Sequence, residues 1–186
     1  MKGWATGVSK KAFSKAFTII ELLIVIVVVG ILAAITVVGY SAVTRSANDK
    51  AVQVDISKFA DSIKLKILDT QTVPVGGATS SLTGDSSVLS GITFKPNDTN
   101  YDKSVSNFFY CAGKIDGGDE FGIIVRSKSG KAFSFLSNEG VSDYTGYTWT
   151  TSNNGVGACT ALGFTAPFTW SYGFYPATGW YSWATP

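Results

Sequence analysis

Histidine is absent from the 186 residues, and Cys111 and Cys159 are the only cysteines. Without imidazole the chain lacks the most frequent general base, and it contains neither a Gly-x-Ser-x-Gly turn nor a phosphate-binding loop. Ser and Asp are plentiful, but no spacing assigns them roles, so neither catalysis nor a cofactor is expected. Two thiols without His are poor material for zinc, and their separation of 48 positions excludes a local C-x-x-C redox motif. They read either as a disulfide formed in an oxidising compartment or as two buried free thiols.

Charge is scarce as well. Charged residues make up 15% of the chain, against about 25% in average soluble domains, which points to lipid or a packed assembly as the environment of part of the molecule. The formal charge of +2 does not imply an anionic partner, because four of the fifteen basic residues, Lys2, Lys10, Lys11 and Lys15, precede the hydrophobic run. Past residue 16 the side chains sum to −2. No cluster of Lys and Arg interleaved with aromatics appears, so specific nucleic-acid binding is not expected, and Lys64 and Lys66 read as a solvated helix face. Proline is missing before Pro74, so no residue of that kind interrupts a helix in the first part of the chain.

What is present divides the chain into four segments. Residues 1–16 are basic, contain no acidic residue and read as a targeting leader. Residues 17–40 begin with a 23-residue apolar run, Phe17 to Gly39, which as a helix spans about 35 Å and crosses a bilayer. It is longer than the h-region of a cleaved signal peptide, and no small-residue cleavage site follows it, so the run is expected to remain in the mature protein. The positive flank places the remainder of the chain outside the cytoplasm. In residues 41–70 the pattern becomes amphipathic: Val52, Ile56, Phe59, Ile63 and Ile67 recur at helical steps, widened by Ala60 and Leu68. One helix from Phe17 to about Asp69, on the order of 80 Å long, is therefore predicted.

Residues 71–186 read as the globular head. Pro74 to Gly91 is rich in Gly, Ser and Thr and reads as a surface loop. From Ile92 onward "GITF", "NFFYCA", "FGIIVRS" and "KAFSFLS" read as strands, with Ser129-Gly130 as a hairpin signal. The fold class is α+β: a long helix whose apolar stripe packs on one face of a small antiparallel sheet of three or four strands. The final 40 residues are rich in aromatics without clear periodicity. The tail from Phe164 to Trp183 reads as an adhesive surface, a contact between subunits or a completion of the core.

Glu21 stands inside the apolar run. An ionised carboxylate in hydrocarbon costs about 2.5–3.5 kcal/mol or more, so it either snorkels to the membrane edge or has a partner. Its surroundings resemble a known signal: Lys15, the small Ala16, then Phe17, three residues, Glu21 and "LLIVIVVVGILAAI". This arrangement resembles the class III signal of type IV pilins and pseudopilins. The resemblance implies that a prepilin peptidase cuts between Ala16 and Phe17 and methylates the new Phe17 amine. It implies that Glu21 pairs with the Phe17 amine of a neighbouring copy, two charges each costly in lipid offsetting one another. The sequence departs from the usual pattern in having Ala16 where Gly commonly precedes the cut, and in lacking a Pro near the end of the apolar stretch. Gly30 and Gly39 are then the expected weak points of the helix.

A Cys111–Cys159 pair resembles the staple that closes the C-terminal loop of many pilins. Asp116, Asp119 and Glu120 form an acidic group that reads as a solvated turn or, as in some pseudopilins, a Ca²⁺ site. The implied function is that of a pilus subunit supporting attachment, twitching motility or DNA uptake, made in the cytoplasmic membrane and then displayed on the cell surface. Its implied partners are further copies, the peptidase and the pilus assembly machinery. The alternatives are a pseudopilin of a type II secretion system and a membrane-tethered binder that does not polymerise.

Overall fold

The computed structural model describes residues 17–81, 84–152 and 154–184, so the expected leader, residues 1–16, lies outside the described residues. A single helix, α1 (Ile19–Thr70), runs for 52 residues without interruption. It stops at Gln71, which adopts φ 56° and donates its N–H to the Ile67 carbonyl at 2.7 Å, a left-handed terminator of the kind usually supplied by Gly or Asn. The chain divides into two units with the boundary between Ala42 and Val43.

In the second unit the apolar stripe of α1 is the floor of the core. Val52, Ile56, Phe59, Ala60 and Ile63 are completely buried, and Ile67 packs partly against the same cluster. Leu68, expected to widen the stripe, is instead 70% exposed, because it lies about 100° further round the helix than Ile67. Phe59 contacts the rings of Phe94, Phe108, Tyr110 and Trp183 at centroid distances of 5.1, 5.2, 6.1 and 5.5 Å. Full burial of one such side chain contributes about 1.5–3 kcal/mol.

Eight strands form the sheet: β1 (Gly76–Thr79), β2 (Gly84–Leu89), β3 (Asn107–Ile115), β4 (Gly118–Arg126), β5 (Ala132–Leu136), β6 (Gly140–Tyr144), β7 (Thr165–Tyr175) and β8 (Gly179–Trp180). Their order is β2-β1-β7-β3-β4-β5-β6, with β8 on β7, and every pairing is antiparallel. The sheet is thus larger than the three or four strands the sequence suggests. Three expectations are corrected. The "GITF" segment is not a strand; Ile92 and Phe94 plug the core beneath α1, and Phe94 N–H donates to Trp183 O at 2.6 Å. The Gly/Ser/Thr stretch after Pro74 is not a loop but carries β1 and β2, where the strands approach so closely that a Cβ at Gly76 would meet the Trp170 backbone and one at Gly77 the Asp85 carbonyl. And the sheet buries both faces rather than one.

Alternation along β3 makes the third correction plain. Phe108, Tyr110 and Ala112 join Phe121, Ile123, Val125, Phe133 and Phe135 on the α1 side. Phe109 and Cys111 join Ile124, Trp170 and Tyr172 on the other. That second face is closed by residues 145–164, including α2 (Gly155–Ala161). Cys159 on α2 is disulfide-bonded to Cys111 on β3, with Cα atoms 5.6 Å apart, which resolves the two thiols as a staple. The β3–β4 turn has Asp116 at φ 49° and Gly117 at φ 85°, the two-residue hairpin in which Asp-Gly is favoured. The expected hairpin at Ser129-Gly130 joins β4 to β5.

Candidate functional site

The apolar half of α1 begins with a reciprocal hydrogen-bond pair. Thr18 precedes the first helical residue; its hydroxyl accepts from the Glu21 backbone N–H at 3.3 Å. In return Glu21 Oε2 accepts from the Thr18 N–H at 2.9 Å and from the Thr18 hydroxyl at 2.8 Å. This is a capping box, which satisfies amide donors that the first turn would otherwise leave without partners. The signal for it, Thr-Ile-Ile-Glu before an apolar run, stands in the sequence, and gives Glu21 a local role beside the two expected from its charge, snorkelling to the membrane edge or pairing with a neighbouring copy. The cap uses one carboxylate oxygen. Oε1 has no partner among the described residues, so capping does not exhaust the acid.

Around this box the surface is almost wholly apolar. Every side chain from Phe17 to Val37 is exposed, from 86% at Ile19 to 49% at Val28 among the large apolar ones. The helix is long and apolar enough to cross a membrane, and none of its most apolar stretch is buried within the chain. Exposed apolar surface on this scale exceeds what a soluble monomer carries. Its helical backbone bonds satisfy the one strict requirement of hydrocarbon, internal pairing of every N–H and C=O. Gly30 and Gly39 lie within α1, and a Cβ at either would meet nothing within 4 Å. Neither glycine is therefore required by packing inside one copy. Ala16, the residue before the expected cut, is outside the described residues, while Phe17 is described and exposed.

The acidic residues of the β3–β4 hairpin are not gathered into one ligand set. Asp119 faces Lys114 at 3.7 Å, Glu120 accepts from the Ser137 hydroxyl, and Asp116 occupies the turn. Among the described residues no group of three His, Cys, Asp or Glu side chains is placed to hold a metal ion. The aromatic tail largely completes the core. Phe164, Phe168, Trp170, Tyr172, Phe174 and Trp183 are buried, and only Tyr175, Trp180 and Tyr181 among its later rings are half-buried. Trp170 donates its indole N–H to Thr79 O at 2.9 Å, holding β7 to β1.

The family pattern described as the prokaryotic N-terminal methylation motif matches residues 11–37. No curated protein and no solved structure matches the chain. The chain carries a type IV pilin-like class III signal, the mark of a pilin-like or pseudopilin-like protein, which fits a membrane-anchored precursor and implies processing by a prepilin peptidase.

Proposed function

We propose that this chain is the structural subunit of a type IV pilus, a polymer of many copies displayed outside the cell. Residues 1–16 act as the leader, removed between Ala16 and Phe17, and Phe17 becomes the methylated N-terminus. Residues 17–40 hold the subunit in the cytoplasmic membrane and then form the filament core, residues 41–70 join that core to the head, and residues 71–186 face outward. The observation that carries this reading is the contrast within α1. Its second half finds a complete apolar partner in its own sheet, while the first half, Phe17 to Val37, buries nothing. An apolar helix face without an internal partner is satisfied by lipid before assembly and by other copies afterwards.

Glu21 gives the polymer its register. One oxygen caps its own helix, and the other is open to a cationic Phe17 amine from an adjoining copy. A buried charge that must find its partner is a device for fixing register, at a cost in stability when the partner is missing. The Cys111–Cys159 staple suits a head exposed to an oxidising exterior and favours the pilus over a secretion pseudopilus, whose heads more often rely on calcium. Electron microscopy of cells with and without the gene tests the reading. Loss of surface fibres on deletion, with the chain recovered from sheared fibres, supports it; fibres unchanged by deletion, or a chain found only in the membrane, contradict it.

A further inference from the structure

On the far end of the sheet from β2, residues of β4, β5, β6 and the segment after β6 line a shallow groove that holds about 440 Å³, within the usual range of about 300–1,000 Å³ for small-molecule sites. Three aromatic residues line it: Tyr144 and Trp149, which are half-buried, and Tyr147, which is buried. These rings are fixed rather than loose. The Tyr144 hydroxyl donates to Ala161 O at 2.7 Å, the Tyr147 hydroxyl donates to Asn154 O at 3.0 Å, and Trp149 meets Tyr147 edge-on at 5.1 Å.

The polar groups of the groove divide into those already engaged and those left open. Arg126 is engaged: its Nη1 lies 3.3 Å from Asp102 and its Nε donates to Gly130 O at 3.2 Å. It cannot clamp an incoming anion without giving up these bonds. The Lys131 ammonium, the Asp143 carboxylate, the Thr145 hydroxyl and the Trp149 indole N–H have no partner among the described residues. One positive and one negative group leave the open rim without net charge. The site therefore offers aromatic walls bordered by both donors and acceptors, with no preference for charge of either sign.

We propose that this groove binds a neutral, hexose-containing glycan. A pyranose ring has an apolar C–H face and a rim of hydroxyls that both donate and accept; it suits an aromatic wall flanked by an ammonium, a carboxylate, a hydroxyl and an indole N–H. Because the carbonyl holding Tyr144 belongs to the last residue of α2 and the one holding Tyr147 to its N-cap, and Cys159 on α2 is tied to Cys111, the staple also holds the groove walls in place. Reduction of that bond loosens the site. The proposal concerns the head alone and stands whether or not the chain polymerises.

The test uses the purified full chain in detergent, titrated calorimetrically with maltotetraose, cellotetraose and chitotetraose, and with tetra-aspartate and tetra-lysine peptides as the charged arms. Saturable binding of at least one oligosaccharide is expected. It should weaken by about tenfold or more in Trp149→Ala and in Thr145→Arg, the second of which fills the groove from an exposed position and removes no core atom. If Trp149→Ala loses its disulfide or its thermal transition, Thr145→Arg decides alone. Absence of binding by all three oligosaccharides, binding undiminished in Thr145→Arg, or binding of the charged peptides only overturns the proposal.

Discussion

Asp55 on α1 and Tyr101, in the connection leading to β3, meet inside the head: the Tyr101 hydroxyl donates to Asp55 Oδ2 at 2.9 Å, and the Asn97 backbone N–H donates to the same oxygen at 3.2 Å. Tyr101 is almost fully buried. One carboxylate thus ties the helix to a connection that has little regular structure of its own. Tyr101→Phe removes the hydroxyl and leaves Asp55 with a single donor. The head should lose about 1–2 kcal/mol of stability, read as a lower denaturant midpoint with an unchanged slope. Asp55→Asn, which keeps an acceptor, should lose less.

Buried tyrosines also set a pH limit. Burial, then the Asp55 charge, holds the Tyr101 hydroxyl well above its ordinary value; burial raises Tyr110 strongly as well, and pushes Tyr147 up to about 12. These groups stay protonated in the folded head after their unfolded counterparts ionise near 10. Above that pH the unfolded state binds fewer protons than the folded one, so stability falls as pH rises. Their contribution is fully present below about pH 10 and is lost progressively through the range up to about 12. Denaturant titrations at rising alkaline pH should show the midpoint flat at first and then falling, with tyrosinate absorbance appearing as the protein unfolds.

Removing the staple should be costly. In the chain-entropy view, closing a loop across a separation of 48 residues stabilises by about 4 kcal/mol. A Cys111→Ala, Cys159→Ala double variant should therefore unfold at much lower denaturant, with its first changes around α2 and the rest of residues 145–164, the segment the bond ties to β3. Hydrogen exchange on the variant checks the location; uniform loss of protection across α1 and β3 would count against it.

The sequence made α1 legible because its buried stripe, Val52 to Ile67, alternates with solvated positions at helical spacing. The β3–β4 and β4–β5 hairpins were legible for a similar reason, since Asp116-Gly117 and Ser129-Gly130 mark turns. Strand β7 was not. Phe168, Trp170 and Tyr172 alternate with Thr169, Ser171 and Gly173 and pack together on the second face, but this period of two is masked by the aromatics that crowd the last 40 residues. Strands β1 and β2 were hidden because their place in the sheet depends on small residues: the Gly76 and Gly77 N–H groups donate to the Thr169 and Ser171 hydroxyls, both at 2.9 Å. Asn107 was equally silent. Its amide substitutes for backbone at the end of β3, accepting from the Arg126 N–H and donating to the Arg126 carbonyl, both at 2.8 Å, beside Phe108 at φ 60°. At the N-terminus Glu21 was legible as a charge in an apolar run, and the same acid also closes a Thr-x-x-Glu capping box with Thr18, a second use of one side chain that its charge does not signal.

Processing should be visible in the mass of the exported protein. The proposed cut and methylation predict a chain beginning at Phe17, heavier than the unmodified fragment by about 14 Da for one methyl group and lighter by about 2 Da for the disulfide. N-terminal sequencing and intact-mass measurement on sheared surface material check both. A surface protein still beginning at Met1 would contradict the processing step.

The most direct test of the central claim compares Glu21→Gln with the native chain. A glutamine side chain retains the acceptor that the Thr18 cap needs but removes the charge that the proposal assigns to the Phe17 amine of the next copy. Counting fibres per cell by electron microscopy, alongside membrane levels of the processed subunit, separates the two roles. The account predicts normal subunit levels with fibres reduced by about tenfold or more, because the uncharged side chain no longer offsets the Phe17 amine of the next copy. Fibres as abundant and as regular as the native ones would contradict it.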